Sequence, residues 1–306
     1  MRWLTCTLAL LASVRPAAAQ RCDAAPAGAT AFLPAMADPG RLFRGAFSPD
    51  GRELYFFKKT GALDSEDYRI FVSRSRGDAW SSPERVTLGD EASDLYPAVS
   101  PDGTILVFAS YRRAPGDTLA RPNASLWMSR REGEGWGPPQ AISTLARHGF
   151  YHAQVTFTPD ARLHFRRITP DWSGTVTLTS TLANGAFTAP VENDDVMRWT
   201  TWRTDAVVRG GDPTPDGTAV LLDVSLRNAT ARRPGPSDIW ITNRTAAGWT
   251  EPVPLGLGVN DAEQFDTFPF VSPDGCRLIW TRGFSTWHQV SWPAVLRDVA
   301  ARRPDR

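Results

Sequence analysis

The sequence predicts an all-β fold, a β-propeller of five four-stranded blades. Three observations carry this: a Ser/Thr-Pro-Asp-Gly/Ala tetrad recurs five times, strand-like sequence follows every copy, and no helical periodicity separates the copies. The copies are Ser48-Pro49-Asp50-Gly51, Ser100-Pro101-Asp102-Gly103, Thr158-Pro159-Asp160-Ala161, Thr214-Pro215-Asp216-Gly217 and Ser272-Pro273-Asp274-Gly275, and their aspartates stand 52, 58, 56 and 58 residues apart. Each suits a type I turn, in which Pro sets φ at the second position, Asp bonds nearby backbone at the third, and Gly tolerates positive φ at the fourth. The tetrad is therefore a hairpin corner.

Dense apolar strands follow the corners, at Leu54-Tyr55-Phe56-Phe57, Ile105-Leu106-Val107-Phe108, Leu163-His164-Phe165, Val220-Leu221-Leu222 and Leu278-Ile279-Trp280, and such runs imply cover on both faces. A third strand comes next, as at Arg69–Val72, Ser125–Met128, Thr175–Leu178 and Asp238–Ile241. An aromatic three residues before a proline then marks an outer strand: Trp80/Pro83, Trp136/Pro139, Phe187/Pro190 and Trp249/Pro252. A mature chain of about 287 residues at a spacing near 56 gives five blades; the six-bladed alternative needs one decayed tetrad. The last unit has strands expected around Leu278–Thr281 and Gln289–Trp292 but no outer strand of its own. Ala31-Phe32-Leu33-Pro34 stands where that strand belongs, so the N-terminal segment is expected to close the ring and remove an exposed sheet edge.

These units resemble the WD40-like β-propeller repeats of TolB-type proteins, whose hallmark is the Ser-Pro-Asp-Gly corner. Asp238-Ile239-Trp240, Gly248-Trp249-Thr250-Glu251-Pro252 and Phe268-Pro269-Phe270-Val271 ahead of the last tetrad are similar to propeller segments found beside OmpA-type peptidoglycan-binding domains. The resemblance implies an exported protein of the bacterial cell envelope. It departs at Ala161, which replaces the corner glycine, and at Arg306, where the sequence ends without such a domain, so cell-wall anchoring is not expected. The motif speaks for fold and not for activity, because propellers host unrelated chemistries.

Arg2, the apolar stretch Trp3–Val14 and Ala17-Ala18-Ala19 read as a signal peptide cleaved after Ala19, which places the protein in the periplasm or outside the cell. No other segment approaches the roughly 20 apolar residues of a membrane span, so no membrane insertion is expected. Loss of Arg2 and Arg15 leaves 32 basic against 33 acidic residues, a net charge of −1 that argues against nucleic-acid binding. The domain is expected over residues 20–300, with a short tail at 301–306, in a monomer. Cys22 and Cys276 survive cleavage, and a disulfide between them is expected because the N-terminal segment lies on the last blade, where Cys276 begins a strand.

The loop entering each inner strand opens at one mouth of the channel. Eight residues before the corner aspartates stand Leu42, Asp94, His152, Val208 and Asp266, and six before stand Arg44, Tyr96, Gln154, Gly210 and Phe268. Varied polar residues at equivalent positions suit a ligand-binding mouth, so Asp94, Tyr96, His152, Gln154, Asp266 and Phe268 are the candidate binding residues. The plainer account makes Asp94 and Asp266 turn caps. Acidic loops at Asp90, Glu91, Asp194, Asp195, Asp261 and Glu263 match no calcium pattern, and His148 and His152 share no helical face, so no metal or cofactor is expected. Trp80, Trp127, Trp136, Trp240 and Trp249 fall at repeated positions and read as inter-sheet packing. Trp199 and Trp202 form either a contact surface or a loop folded on its blade.

The function expected is a binding or scaffolding module that presents its channel mouth to an envelope protein or glycan. The alternative is a five-bladed glycoside hydrolase, which needs two carboxyls about 5–10 Å apart. Asp94, Asp212 and Asp266 are the available trio, although Asp212 sits four residues before its corner aspartate and the others eight. Intact-mass spectrometry of the exported protein is expected to show Gln20 as the mature N-terminus; retained Met1 or a lipid on Cys22 contradicts this.

Overall fold

The computed structural model describes Cys22 and residues 24–39, 41–77, 79–120, 123–147, 149–171, 174–227 and 235–303; the expected signal peptide and His148 lie outside them. The chain forms a β-propeller of five antiparallel sheets. Blade one contains Leu42–Phe47, Glu53–Lys59 and Tyr68–Arg76 from the axis outward, blade two Asp94–Val99, Ile105–Ser110 and Ser125–Glu132, and blade three Tyr151–Phe157, Arg162–Ile168 and Thr175–Ala183. Ala206–Pro213, Ala219–Leu226 and Ser237–Thr245 build blade four, and Asp266–Val271, Arg277–Arg282 and Thr286–Ser291 build blade five.

Every tetrad makes the same turn between a blade's first and second strands. In the first, Gly51 N–H donates to Ser48 O (2.9 Å) while Ser48 Oγ donates to Asp50 Oδ1 (2.6 Å), which also accepts from Arg52 N–H (3.0 Å). The hydroxyl-to-aspartate bond recurs from Ser100, Thr158, Thr214 and Ser272. The fourth residue is left-handed throughout, with φ of 70°, 73°, 61°, 67° and 68°. Glycine adopts this without cost, whereas Ala161 places a Cβ where L-residues are disfavoured by roughly 1–2 kcal/mol.

The second strands are sandwiched: Leu54, Tyr55, Phe56 and Phe57 are all buried, as are Ile105 to Ala109 and Leu278 to Trp280. Outer strands break at their proline into two short pieces, such as Ala79–Trp80 and Glu84–Arg85, both paired on Tyr68–Arg76; Pro83 between them has no N–H to give the ladder. The tryptophans of these edges pack inward, Trp80 on Phe47 (6.0 Å between ring centroids) and Trp136 on Tyr55 (6.0 Å).

Thr30–Phe32 supplies the outer strand of blade five, with Thr30 opposite Gln289 and Phe32 opposite Trp287. The Cys22–Cys276 disulfide fastens the same segment, its Cα atoms 5.1 Å apart across a sequence separation of 254. From blade five, Trp287 Nε1 donates to Phe43 O of blade one (2.8 Å) across the closure.

One element differs from expectation. The strand placed at Gln289–Trp292 ends at Ser291, and a helix, α1, runs over Trp292–Ala301 in place of the end of the expected propeller domain. Ser291 caps it by accepting from Ala294 N–H (3.4 Å), Pro293 sits in its first turn, and Trp292, Val295 and Val299 bury one face against Leu255, Leu278 and Trp280. Of the two readings left open for the loop after blade three, the structure shows the loop folded on a blade: Trp202 packs edge-on to Trp240 of blade four (5.4 Å), and Trp199 meets Trp202 (6.3 Å).

Ala161→Gly is expected to raise stability by about 0.5–1 kcal/mol, the relief of the left-handed alanine less the entropy glycine adds to the unfolded chain. Urea unfolding of the two proteins checks this, and an unchanged or lower midpoint contradicts it.

Candidate functional site

A bulge in every inner strand builds the site. The pairing register shifts between Leu42 and Gly45, Leu95 and Ala98, Ala153 and Thr156, Val208 and Gly210, and Thr267 and Phe270. Within it, Tyr96, Gln154 and Phe268 take φ of 50°, 47° and 55°, and Gly210 takes 154°. Left-handed bulky residues cost free energy and collect at functional positions. The bulge also breaks the two-residue alternation that would set residues i and i+2 on one face.

The six candidate residues are therefore divided. Asp94, His152 and Asp266 do not line the mouth; they are buried and brace loops. Asp94 is bonded to Arg112, which also holds Leu88 O (2.8 Å) and Asp90 (2.7 Å). Asp266 accepts from Arg282 Nε (2.7 Å), Trp280 Nε1 (2.8 Å) and Asp261 N–H (2.7 Å). Burial pushes both carboxyls up against the pull of their arginines. His152 Nδ1 lies 3.1 Å from Ala124 O, and Arg167 Nε donates to its Nε2 (3.4 Å). Burial, and then Arg167, push the His152 imidazole down to about 4, so it is neutral. Leu42 and Val208 fill the equivalent places as core residues.

Tyr96 and Phe268 line the channel, and Gln154 is buried just behind its wall between Arg166 and Asp223; cavities lie at both ends of the channel. The cavity at the tetrad end, about 270 Å³, is ringed by all five corner prolines with Phe47, Phe157 and Phe270, and contains the Arg44–Asp212 ion pair (2.6 Å). A second cavity of about 730 Å³ is walled by Tyr68, Tyr96, Tyr111, Tyr151, Phe268 and Phe284, with Arg166 and Arg209 among them. Its aromatic wall is preassembled: Tyr96 packs on Phe57 (4.6 Å) and Phe268 (6.1 Å), and Phe268 packs on Phe284 (6.2 Å). Burial pushes the Tyr96 phenol up to about 12 and raises Tyr111 and Tyr151 as well, so these hydroxyls stay protonated.

A polar group inside the ring joins blades three, four and five. Thr267 Oγ1 donates to Asp223 Oδ2 (2.7 Å), Gln154 Nε2 lies 3.5 Å from the same oxygen, and Arg166 Nη1 donates to Gln154 Oε1 (3.0 Å). Asp223 Oδ1 is buried with no partner among the described residues. Burial first, and the charge of Asp212 with it, push this carboxyl up to about 6. Of the proposed catalytic trio, Asp212 lines the tetrad-end cavity and is held by Arg44, while Asp94 and Asp266 line neither cavity. Among the described residues no three His, Cys, Asp or Glu side chains gather as metal ligands, and no helix is long and apolar enough to cross a membrane.

Sequence reasoning found Tyr96 and missed Asp223, Arg166, Tyr68, Tyr111 and Tyr151. Asp223 had a signal, a lone carboxylate directly after the apolar run Val220–Leu222 in a strand covered on both faces. Arg166 and Tyr111 had none, because nothing local tells which blade they face.

No family model and no curated protein matches the sequence. Similar solved structures include a putative TolB from Agrobacterium tumefaciens (18% identity, 78% of this chain and 69% of that one, TM-score 0.45). A periplasmic gluconolactonase from Pseudomonas aeruginosa is also similar (16%, 78% and 64%, 0.42), as is a GH74 enzyme from Niastella koreensis (16%, 82% and 38%, 0.39). The chain thus spans less than two thirds of the latter two. Identities this low with TM-scores below 0.5 assign neither a family nor an activity.

Asp223 titrates near 6 when folded against an ordinary 3.8, so the folded state favours its proton. Stability linked to it is present below about pH 4 and lost as pH rises through 6. Asp223→Asn is accordingly expected to stabilise by about 2–3 kcal/mol at pH 8 and by little at pH 4. Asp266→Ala, which strands Arg282 and Trp280, is expected to destabilise at both. Denaturant unfolding at the two pH values reads both, and a pH-independent effect of Asp223→Asn contradicts the assignment.

Proposed function

We propose that this chain is an exported binding module of the TolB-like propeller type, which presents the tyrosine-rich mouth of its channel to a protein or glycan partner in the bacterial cell envelope. The carrying observation is the contrast between the two channel ends. One is a small proline-ringed funnel; the other is a cavity of about 730 Å³ whose aromatic wall is already packed in place and carries protonated phenols and arginines. A cavity of that volume is in the range that holds a ligand, and rigid tyrosines lose little entropy on contact. Four of the eight left-handed non-glycine residues among those described, Tyr96, Gln154, Phe268 and Phe284, stand at or beside the channel together with a buried carboxylate that keeps an orphan oxygen, stability costs of the kind tolerated where binding is favoured over stability.

A glycoside hydrolase of the proposed kind would need two of Asp94, Asp212 and Asp266 in one cavity. Binding is the reading that the geometry supports better.

The test is contact mapping by hydrogen exchange on complexes with envelope proteins and on an array of envelope glycans. Protection is expected at Tyr96, Tyr111 and Phe284, and the double substitution Tyr111→Ala, Phe284→Ala is expected to weaken binding at least tenfold, about 1.4 kcal/mol, with the fold intact. Contacts that map instead to the loop carrying Trp199 and Trp202 overturn the reading.

A further inference from the structure

Two guanidinium groups in the wide mouth, those of Arg166 and Arg209, form no ion pair among the described residues. Arg166 donates to Gln154 Oε1 (3.0 Å) through Nη1 and to Thr175 Oγ1 through Nε (3.2 Å) and Nη2 (3.1 Å). Arg209 donates through Nε to Ser225 Oγ (3.2 Å). Among the described residues neither forms an ion pair, in contrast to the bracing arginines Arg44, Arg112 and Arg282, each of which holds an aspartate. Burial pulls the Arg166 guanidinium below its ordinary value and the charge of Arg209 adds to this, while the more distant charges of Asp223 and Asp212 act against it without pairing directly to it. Two acids of the neighbourhood are engaged elsewhere, Asp212 by Arg44 and Asp223 by Thr267, and the third, Glu66, lines the same cavity from the exposed rim.

Arg166 belongs to the second strand of blade three, and its approach to the channel depends on a missing side chain. Gly210 occupies in blade four the bulge position filled elsewhere by Arg44, Tyr96, Gln154 and Phe268. A Cβ at Gly210 would stand 2.4 Å from Gln154 Oε1 and 2.8 Å from Arg166 Cδ. Blade four thus leaves open the space in which Gln154 and Arg166 meet, and Gln154 orients the planar guanidinium.

We propose that Arg166 and Arg209 form an oxyanion subsite in this mouth, which takes the acidic group of an anionic sugar, a carboxylate or a phosphate, while the sugar ring lies against Tyr96, Phe268 and Phe284. A guanidinium offers paired donors that match the two oxygens of a carboxylate or phosphate. The protonated phenol of Tyr96 both donates and accepts, which suits a sugar hydroxyl, and aromatic faces suit the C–H face of a sugar ring. The proposal rests on the mouth being the binding surface and adds the chemical class of what enters it.

Titration calorimetry on the full mature protein with digalacturonate, its methyl ester and galactose 6-phosphate tests it. At least one acidic probe is expected to bind, with the carboxylate and phosphate arms telling which acid is preferred. The ester, which keeps the shape and loses the charge, is expected to bind at least tenfold more weakly than digalacturonate if the acid is a carboxylate, and neutral galactose serves as the same control for the phosphate. Arg166→Gln with Arg209→Gln is expected to cost at least tenfold for the acidic probe and to leave the neutral one unchanged. Arg209→Gln alone keeps the Gln154 and Thr175 contacts of Arg166 and serves if the double variant does not fold; at least a threefold loss is expected. Equal binding of acidic and neutral probes, unchanged acid binding in the substituted proteins, or no acidic sugar bound by the folded protein overturns the proposal. The broader reading of the mouth falls only when partner contacts map elsewhere, so the two failures are distinct.

Discussion

Everything at the axis depends on the pairing of Thr30–Phe32 with Thr286–Ser291. A propeller blade buries its faces against two neighbours, and the fifth blade would otherwise end on an unpaired strand. The N-terminal strand, fastened by Cys22–Cys276, pairs that edge, and Phe32 packs against Trp287, which in turn bonds the backbone of Phe43 in blade one. The aromatic wall crosses this seam: Phe43 of blade one meets Phe268 (6.4 Å) and Phe284 (5.6 Å) of blade five. Ring closure and the shape of the wide mouth are one arrangement of side chains.

Within the closed ring, the inner-strand bulges separate two tasks that neighbouring positions would otherwise share. At the start of their strands Asp94, His152 and Asp266 turn away from the channel and tie loops to sheets through buried bonds. The residues inside the bulges turn toward the axis. Losing one partner of a buried ion pair leaves the other charge stranded, so Asp94 and Asp266 are structural although they read as exposed loop acids. The channel residues carry the opposite sign of energy. Tyr96, Gln154 and Phe268 hold unfavourable backbone angles, and Asp223 and Arg44 each keep a buried polar atom without a partner among the described residues.

The two channel ends follow from which loops build them. Five repeats of one corner make the tetrad end nearly uniform, so its five prolines form a ring whose character hardly varies from blade to blade. The opposite end is built from loops of differing length and sequence, and it alone combines tyrosines, phenylalanines and unpaired arginines. Specific recognition needs that asymmetry, because a ligand is oriented by groups that differ around it.

The corner tetrads, the sandwiched second strands, the proline-broken outer strands and the closure by the N-terminal segment were all legible in the sequence. Each rests on local chemistry that repeats with the period, such as a φ fixed by proline, a left-handed angle suited to glycine, or an N–H that proline lacks. The helix over Trp292–Ala301 was legible too, from Ser291 and Pro293 ahead of Val295 and Val299, and was masked by the expectation of a fourth strand pattern. Only the tertiary structure decided which candidates face the channel, because one extra residue in each inner strand reverses the side to which all that precede it point. It also decided the partners at the axis. Arg44 meets Asp212 across 168 residues, and Gln154 meets Asp223 across 69. Such contacts depend on how far each blade is rotated about a common axis, a quantity that no window of sequence contains.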